Sequence, residues 1–264
     1  MTRENILYEL LKQKRPTIGT RVHTIWPGLV EVIGHSGVID YVEFTADYAP
    51  YDLQSLENFG RAIDLFDHMS GMMKIEEHLR PYLAVRAIGS GIQNLNFADI
   101  RNADDAKQAV ASSRAATPQA GGMVGVRMAR DVGYVVEPGS VNYVESLERV
   151  VVVLHIENCT AVEHLEDILS VEGISMVQFG PADYSMSIGI PGQWDHVEVK
   201  RAELHMIETA LKMGIAPRVE IDQFDDAEPY IELGVKDFSI GQDVTIISDY
   251  CLDQGGKLAN ILGK

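Results

Sequence analysis

Residues 149–180 read RVVVVLHIENCTAVEHLEDILSVEGISMVQFG. From Val150 to Leu154 every position is apolar, the mark of a strand buried on both faces of a parallel sheet. The amphipathic stretch AVEHLEDILS (161–170) follows, and then a second short apolar run, ISMVQFG (174–180). Strand, helix and strand at this spacing make a βαβ unit with parallel strands.

The same alternation extends in both directions. Upstream lie the predicted strands PTIGTRVH (16–23), YVEFTA (41–46), GMMKIE (71–76) and IQNLNFADI (92–100); downstream lie IAPRVEI (215–221) and DFSIG (237–241). Helical patterns separate them at 52–69, 102–116 and 199–214. Asn102 is placed to cap the second of these, with Asp104 and Asp105 in its first turn, and Gly214 to end the third. Eight strands alternating with helices, without a linker or low-complexity tract, predict one (β/α)8 TIM barrel over residues 1–264. Segment 117–148 is too long for a simple loop and lacks the ending of a phosphate-binding loop, so it reads as a structural or lid-like excursion.

Composition narrows the function. Net charge is −17, which argues against nucleic acid as a partner. A small anionic substrate is still allowed, since a metal ion or lysine reverses the field inside one pocket. The apolar runs fall short of the roughly 18 residues that span a bilayer, so no membrane partner is expected. The start, MTRENILYELLKQKRP, is a charged amphipathic helix without the apolar core of a signal peptide. Cys159 and Cys251 are the only cysteines, which makes a reducing cytoplasm the expected compartment.

In a barrel the chemistry sits at the C-terminal strand ends. Those ends carry Arg21 and His23, Asp47 and Tyr48, Lys74, His155 and Glu157, Asp183, Arg218 and Glu220, and Gln242 with Asp243. Glu157 and Asp183 end consecutive strands and share one rim. Two carboxylates so placed suit a hard divalent ion such as Mg2+ or Mn2+, or are ordinary loop acids; spacing alone leaves both readings open. His155 and Glu157 are two apart on one strand and share the inward face. His155 is therefore a candidate third ligand, although a substrate-contacting role suits it better. Lys74 is also a candidate Schiff-base nucleophile, but the carboxylate pair makes a metal route the more economical.

The run HIENCTAVEHLEDILSVEGISMVQFGPADYSMSIG (155–189) resembles the metal-binding half of the HpcH/HpaI family of class II 2-oxo-acid aldolases. IGTRVHTIWPGLVEVIGHSGVIDYVEFTADYAPYDLQSL is similar to that family's opening segment, and YIELGVKDFSIGQDVTII to its closing one, so the resemblance spans nearly the whole chain. It implies a barrel holding a divalent metal ion, Mg2+ or Mn2+, through Glu157 and Asp183. A pyruvate-like 2-oxo acid would chelate the metal, which stabilises the enolate formed when a carbon–carbon bond is cleaved or made. The Gly180, Pro181, Ala182 turn would hold the carboxylate, and an aldehyde would be the second substrate. The resemblance also implies a homo-oligomer, a hexamer, with the C-terminal segment SDYCLDQGGKLANILGK packing on a neighbouring subunit.

The sequence departs from that pattern at the catalytic positions. Tyr48 stands where the family has its acid–base histidine, and the aspartate that would orient it falls near Gly89. Lys74 replaces the donor-binding arginine, with Arg80 or Arg86 as alternatives in space, and His155 replaces a glutamine. A phenol becomes a useful base only if a cation lowers its pKa, a task open to Lys74 or the metal, while Asp47 sits beside it. His23, at the end of the first strand, is the candidate to replace lost acid–base function. The expected activity is a metal-dependent carbon–carbon lyase. The alternatives are a decarboxylase or other enolate-forming lyase, and a catalytically altered metabolite-binding homologue.

Overall fold

The computed structural model describes residues 3–264. Eight parallel strands close into a barrel in sequence order: β1 (Thr17–Val22), β2 (Tyr41–Phe44), β3 (Ser70–Ile75), β4 (Asn94–Phe97), β5 (Val151–Ile156), β6 (Met176–Phe179), β7 (Ala216–Ile221) and β8 (Asp237–Gln242). β8 pairs with β1 through a register shift between Gly19 and Arg21. The predicted strands therefore all form, within three residues at their ends.

The apolar β5 works as its sequence demands. Val151 and Val153 point inward and meet Tyr41, Met72 and Met176. Val152, Leu154 and Ile156 point outward into the shell of helices. Helix α1 (Ile6–Lys12) plugs the bottom of the barrel by inserting Leu7 into the inner cluster. Asn5 caps it and donates to Asn94 Oδ1 (2.9 Å) and to the Arg149 carbonyl (2.8 Å), fastening the plug to the strands.

The outer shell comprises α2 (Pro27–His35), α3 (Leu53–Ile63), α4 (Arg80–Gly89), α5 (Ala103–Ala111), α6 (Val141–Glu148), α7 (Cys159–Glu163), α8 (Leu165–Leu169), α9 (Pro181–Ser187), α10 (Val197–Met213) and α11 (Glu228–Leu233). Asn102 caps α5 by accepting from the backbone of Asp104 and Asp105, and Gly214 ends α10 in the left-handed region at φ 77°. α3 stops earlier than the periodicity predicts. Arg3 ties Asp64 and the carbonyls of Phe66 and Met69 into a turn, and Arg130 pairs with the same aspartate. The helix expected at 161–170 begins earlier, capped by Asn158, and is broken at His164.

Segment 117–148 packs back onto the shell rather than over the barrel mouth. Val124, Val132 and Tyr143 are buried in the outer core, and Arg130 reaches the Ser90 carbonyl at the end of α4. After β8 the chain runs through α12 (Asp243–Tyr250), a wide π turn at Cys251–Gly255 and α13 (Gly256–Leu262). Ile247, Tyr250, Leu252, Leu258 and Ile261 on this arm are exposed. Among the described residues no helix is long and apolar enough to cross a membrane.

Candidate active site

The C-terminal strand ends enclose a cavity of about 550 Å³ whose lining includes Arg21, His23, Tyr48, Lys74, Glu157 and Asp183. A second, shallower lobe shares Tyr48, Lys74, Glu157 and Asp183 and adds Asp47, Asp99 and Arg101. The structure thus brings His23, Asp47, Tyr48, Lys74, His155, Glu157, Asp183 and the Gly180, Pro181, Ala182 turn to one mouth, with the carboxylate pair where the lobes meet.

Glu157 follows β5 and is buried. Its Oε1 accepts from the backbone N–H of Asp99 at 2.6 Å. That donor is aimed by a left-handed backbone at Asp99 (φ 50°), whose side chain is clamped by Arg101 and Asn158. Burial pushes the Glu157 carboxyl up to about 7; Lys74 and the Asp99 N–H oppose the shift, and the Asp183 charge adds to it. Two carboxylates facing one cavity are a donor set that suits a hard divalent cation. Gly180 leaves the room: a Cβ there would stand 2.7 Å from Glu157 Cβ and 2.9 Å from its Oε2. The residues present therefore fit a divalent ion held by Glu157 and Asp183. No third His, Cys, Asp or Glu joins them among the described residues, so the protein would supply two ligands.

His155 points into the barrel as expected, with Nε2 3.6 Å from Glu157 Oε2 and 3.4 Å from Gln178 Nε2. Its Nδ1 is buried without a partner. Burial, with Lys74 and the two arginines nearby, pushes its pKa well down, so the ring is neutral. Gly180 precedes α9, whose first residue is Pro181. Pro181 carries no N–H, so the donors this turn can offer an anion are the N–H groups of Ala182 and Asp183.

Lys74 stands on β3, buried, with Nζ 2.9 Å from both Asp47 Oδ2 and the Tyr48 hydroxyl. Its carboxylate neighbours raise its pKa against the opposing effect of burial. A lysine held so firmly protonated is not a Schiff-base nucleophile. Tyr48 is exposed as a residue, yet desolvation beside Lys74 outweighs the lysine and moves its phenol above its ordinary value. Lys74 therefore leaves Tyr48 a proton donor.

Neither Arg80 nor Arg86 reaches the cavity. Arg80 is buried behind β4, donating to the carbonyls of Ala98 and Asp99, and Arg86 lies over the Tyr82 ring. The arginines lining the larger lobe are Arg21, paired with Glu220 at 2.6 Å, and Arg218, while Arg101 lines the shallower one. Arg218 is fully buried below the mouth, where its Nε donates to the Tyr41 hydroxyl (2.8 Å) and its terminal nitrogens to Glu43 and Gln178. Gln178 in turn donates to Glu220 (2.7 Å), and Asn96 to Glu43 (2.8 Å). The strand-end rule found both arginines but gave no sign that one is the keystone of a charged layer inside the barrel.

A profile of the family described as HpcH/HpaI aldolase/citrate lyase matches residues 63–249. A 4-hydroxy-2-oxo-heptane-1,7-dioate aldolase of Shigella boydii is 29% identical over 252 residues, covering 93% of this chain and 91% of that protein. A protein of the same name from Escherichia coli matches at the same identity and coverage. Among solved structures, an HpcH/HpaI aldolase/citrate lyase family protein from Burkholderia cenocepacia superposes with a TM-score of 0.86 at 24% identity, covering 97% of this chain and 99% of that one. The citrate synthase SbnG superposes with a TM-score of 0.84 at 20% identity over 98% and 99% of the two chains. These structural likenesses show the (β/α)8 fold.

Proposed function

Because the chain belongs to the HpcH/HpaI aldolase/citrate lyase family, we propose that it is a divalent-metal-dependent carbon–carbon lyase. It cleaves a 4-hydroxy-2-oxo acid to a pyruvate-like 2-oxo acid and an aldehyde, or runs the reverse condensation. The observation that carries this reading is the Glu157–Asp183 pair at the shared mouth of two cavity lobes, with Gly180 leaving the space beside it open. A divalent ion bound there, Mg2+ or Mn2+, supplies Lewis-acid stabilisation of enolate charge. The N–H groups of Ala182 and Asp183 and the Lys74 ammonium hold the acid's carboxylate. Asp47 keeps Lys74 charged and aimed, Tyr48 donates a proton or hydrogen bond at the lobe junction, and neutral His155 contacts the substrate from the floor.

Glu157→Gln is the decisive variant. It is expected to lose Mn2+ binding by calorimetry and cleavage of 4-hydroxy-2-oxo acids together. Full Mn2+ affinity in that variant, or cleavage that survives exhaustive chelation, refutes the proposal. The proton-donor character of Tyr48 favours a second reading, decarboxylation of a 2-oxo diacid, since that reaction needs no base to break its bond. Release of CO2 from oxaloacetate without aldol turnover selects it. The exposed apolar arm beyond β8 supports a homo-oligomer, taken as a hexamer, and the free Cys159 and Cys251 support a cytoplasmic setting.

A further inference from the structure

Lyase chemistry on the proposed substrates requires one group that both accepts and returns a proton, and most side chains at the mouth are committed elsewhere. Lys74 is fixed as a cation between Asp47 and Tyr48. Arg21 is paired with Glu220, and Arg218 is fully buried in its own network. Tyr48 keeps its proton. His23 is different. It ends β1 in the cavity wall, stacked on Tyr48 with ring centroids 5.8 Å apart and planes 11° from parallel.

Both protein contacts of the ring are made at Nδ1. The Thr45 hydroxyl lies 2.8 Å from it and 3.2 Å from the Val22 carbonyl, and the Gln242 side-chain amide approaches the same nitrogen. With the Thr45 proton on the Val22 carbonyl, Nδ1 carries the ring hydrogen and donates to the Thr45 oxygen, and the Gln242 amide turns its oxygen toward the ring. Nε2 has no protein partner among the described residues, and in that tautomer it presents its lone pair. The backbone that carries the ring is held as well, because the Asp243 carboxylate accepts from the backbone N–H groups of His23 (2.8 Å) and Thr24 (2.9 Å).

We propose that His23 is the acid–base residue of this site, with Nε2 as the proton-carrying atom. The assignment rests on the lyase reading of the preceding subsection. In the cleavage direction Nε2 accepts the proton of the C4 hydroxyl. The O–H electron pair becomes the carbonyl of the departing aldehyde, and the C3–C4 pair stays with the 2-oxo-acid fragment as its enolate. The imidazolium then returns the same proton to C3, which leaves the 2-oxo acid and a neutral ring. In the absence of an aldehyde, the same atom exchanges the C3 hydrogens of pyruvate with solvent.

The test compares the parent protein with His23→Ala, in D2O, by NMR at the pyruvate methyl and by cleavage of a 4-hydroxy-2-oxo acid. The Asp243 contacts are to backbone N–H groups, so they survive the substitution. Exchange and kcat are expected to fall about 10²–10⁴-fold, with Mn2+ and pyruvate binding unchanged and with partial recovery on adding imidazole. Exchange within about threefold of the parent overturns the assignment, as does a loss that follows lost Mn2+ binding and ignores imidazole. A parent that binds Mn2+ and pyruvate yet neither cleaves nor exchanges overturns the lyase reading itself, and His23 with it.

Discussion

Replacing Arg218 by methionine removes a cation of similar length from a place with no water. Arg218 is 0% exposed, and Glu43, its partner, is equally buried. Without the guanidinium, Glu43 keeps one side-chain donor, Asn96 Nδ2 at 2.8 Å, and the Tyr41 hydroxyl and Gln178 each lose a partner. Leaving one member of such a pair uncompensated costs about 3–5 kcal/mol, whereas replacing both with apolar residues of like volume is close to neutral. R218M is therefore expected to lower the thermal midpoint by about 10 °C at pH 7, and E43L/R218M to recover most of that loss. The pH dependence carries the sign. In the parent, Arg218 holds the Glu43 carboxyl below its ordinary value against the opposing effect of burial. That contribution is present above the unfolded carboxylate value and lost as pH falls through the folded one. In R218M burial acts without its main opponent and the folded value rises, so the deficit must grow with rising pH, larger at pH 8 than at pH 5. Urea or thermal unfolding across that range is the assay. A deficit under about 1 kcal/mol, or a double variant no better than R218M, refutes the keystone role.

Two further predictions address the site and its base. Gly180→Ala puts a methyl 2.7 Å from Glu157 Cβ and 2.8 Å from His155 Nε2 on a backbone of ordinary φ (−110°), so its effect is crowding alone. Mn2+ affinity should fall by about tenfold or more, with a stability loss of about 1–3 kcal/mol; unchanged Mn2+ titration contradicts the cradle. Burial raises Asp237 to about 6, eased by the Thr17 hydroxyl donating at 2.7 Å. The parent thus loses stability as pH rises from the unfolded value to about 6, and the penalty is complete above that. Asp237→Asn keeps an acceptor for Thr17 and is expected to gain about 1–3 kcal/mol at pH 7, with the two proteins converging near pH 4. A gap that does not change with pH refutes it.

What the sequence made legible follows its periodicities. β5 is apolar from Val151 to Leu154 because helices cover its outer face and side chains fill the inner one, so its burial shows in each of those residues. The strand-end rule likewise gathered Tyr48, Lys74, Glu157 and Asp183, which line one mouth. The misses have physical causes. APRVEI alternates like a strand with one wet face, so Arg218 looks solvated; its burial depends on Glu43, which lies 175 positions away. Arg80 resembled a spatial substitute for a donor-binding arginine, but the left-handed Leu79 (φ 65°) starts α4 with that side chain turned to the carbonyls after β4. The Asp99 N–H that grips Glu157 requires a positive φ at a non-glycine residue, and no local pattern announces that.

The closing contact between β1 and β8 also bears on when the site comes into existence. Side-chain stitches run along that seam from Thr17–Asp237 at the bottom, through Thr20 and the Ile240 carbonyl, to Asp243 under His23, each spanning 220 positions of chain. Loop-closure entropy makes such pairings the most expensive in the molecule, while neighbouring strands such as β5 and β6 meet across a short crossover. A nascent or partly opened chain can therefore carry Glu157 and Asp183 on formed strands while its first and last strands are still apart. On the proposed assignments such a chain would have a place for a metal ion but no His23 wall. The proton-carrying half of the site would be acquired only when the two ends of the fold find each other, so turnover would report on closure of the barrel and metal binding would not.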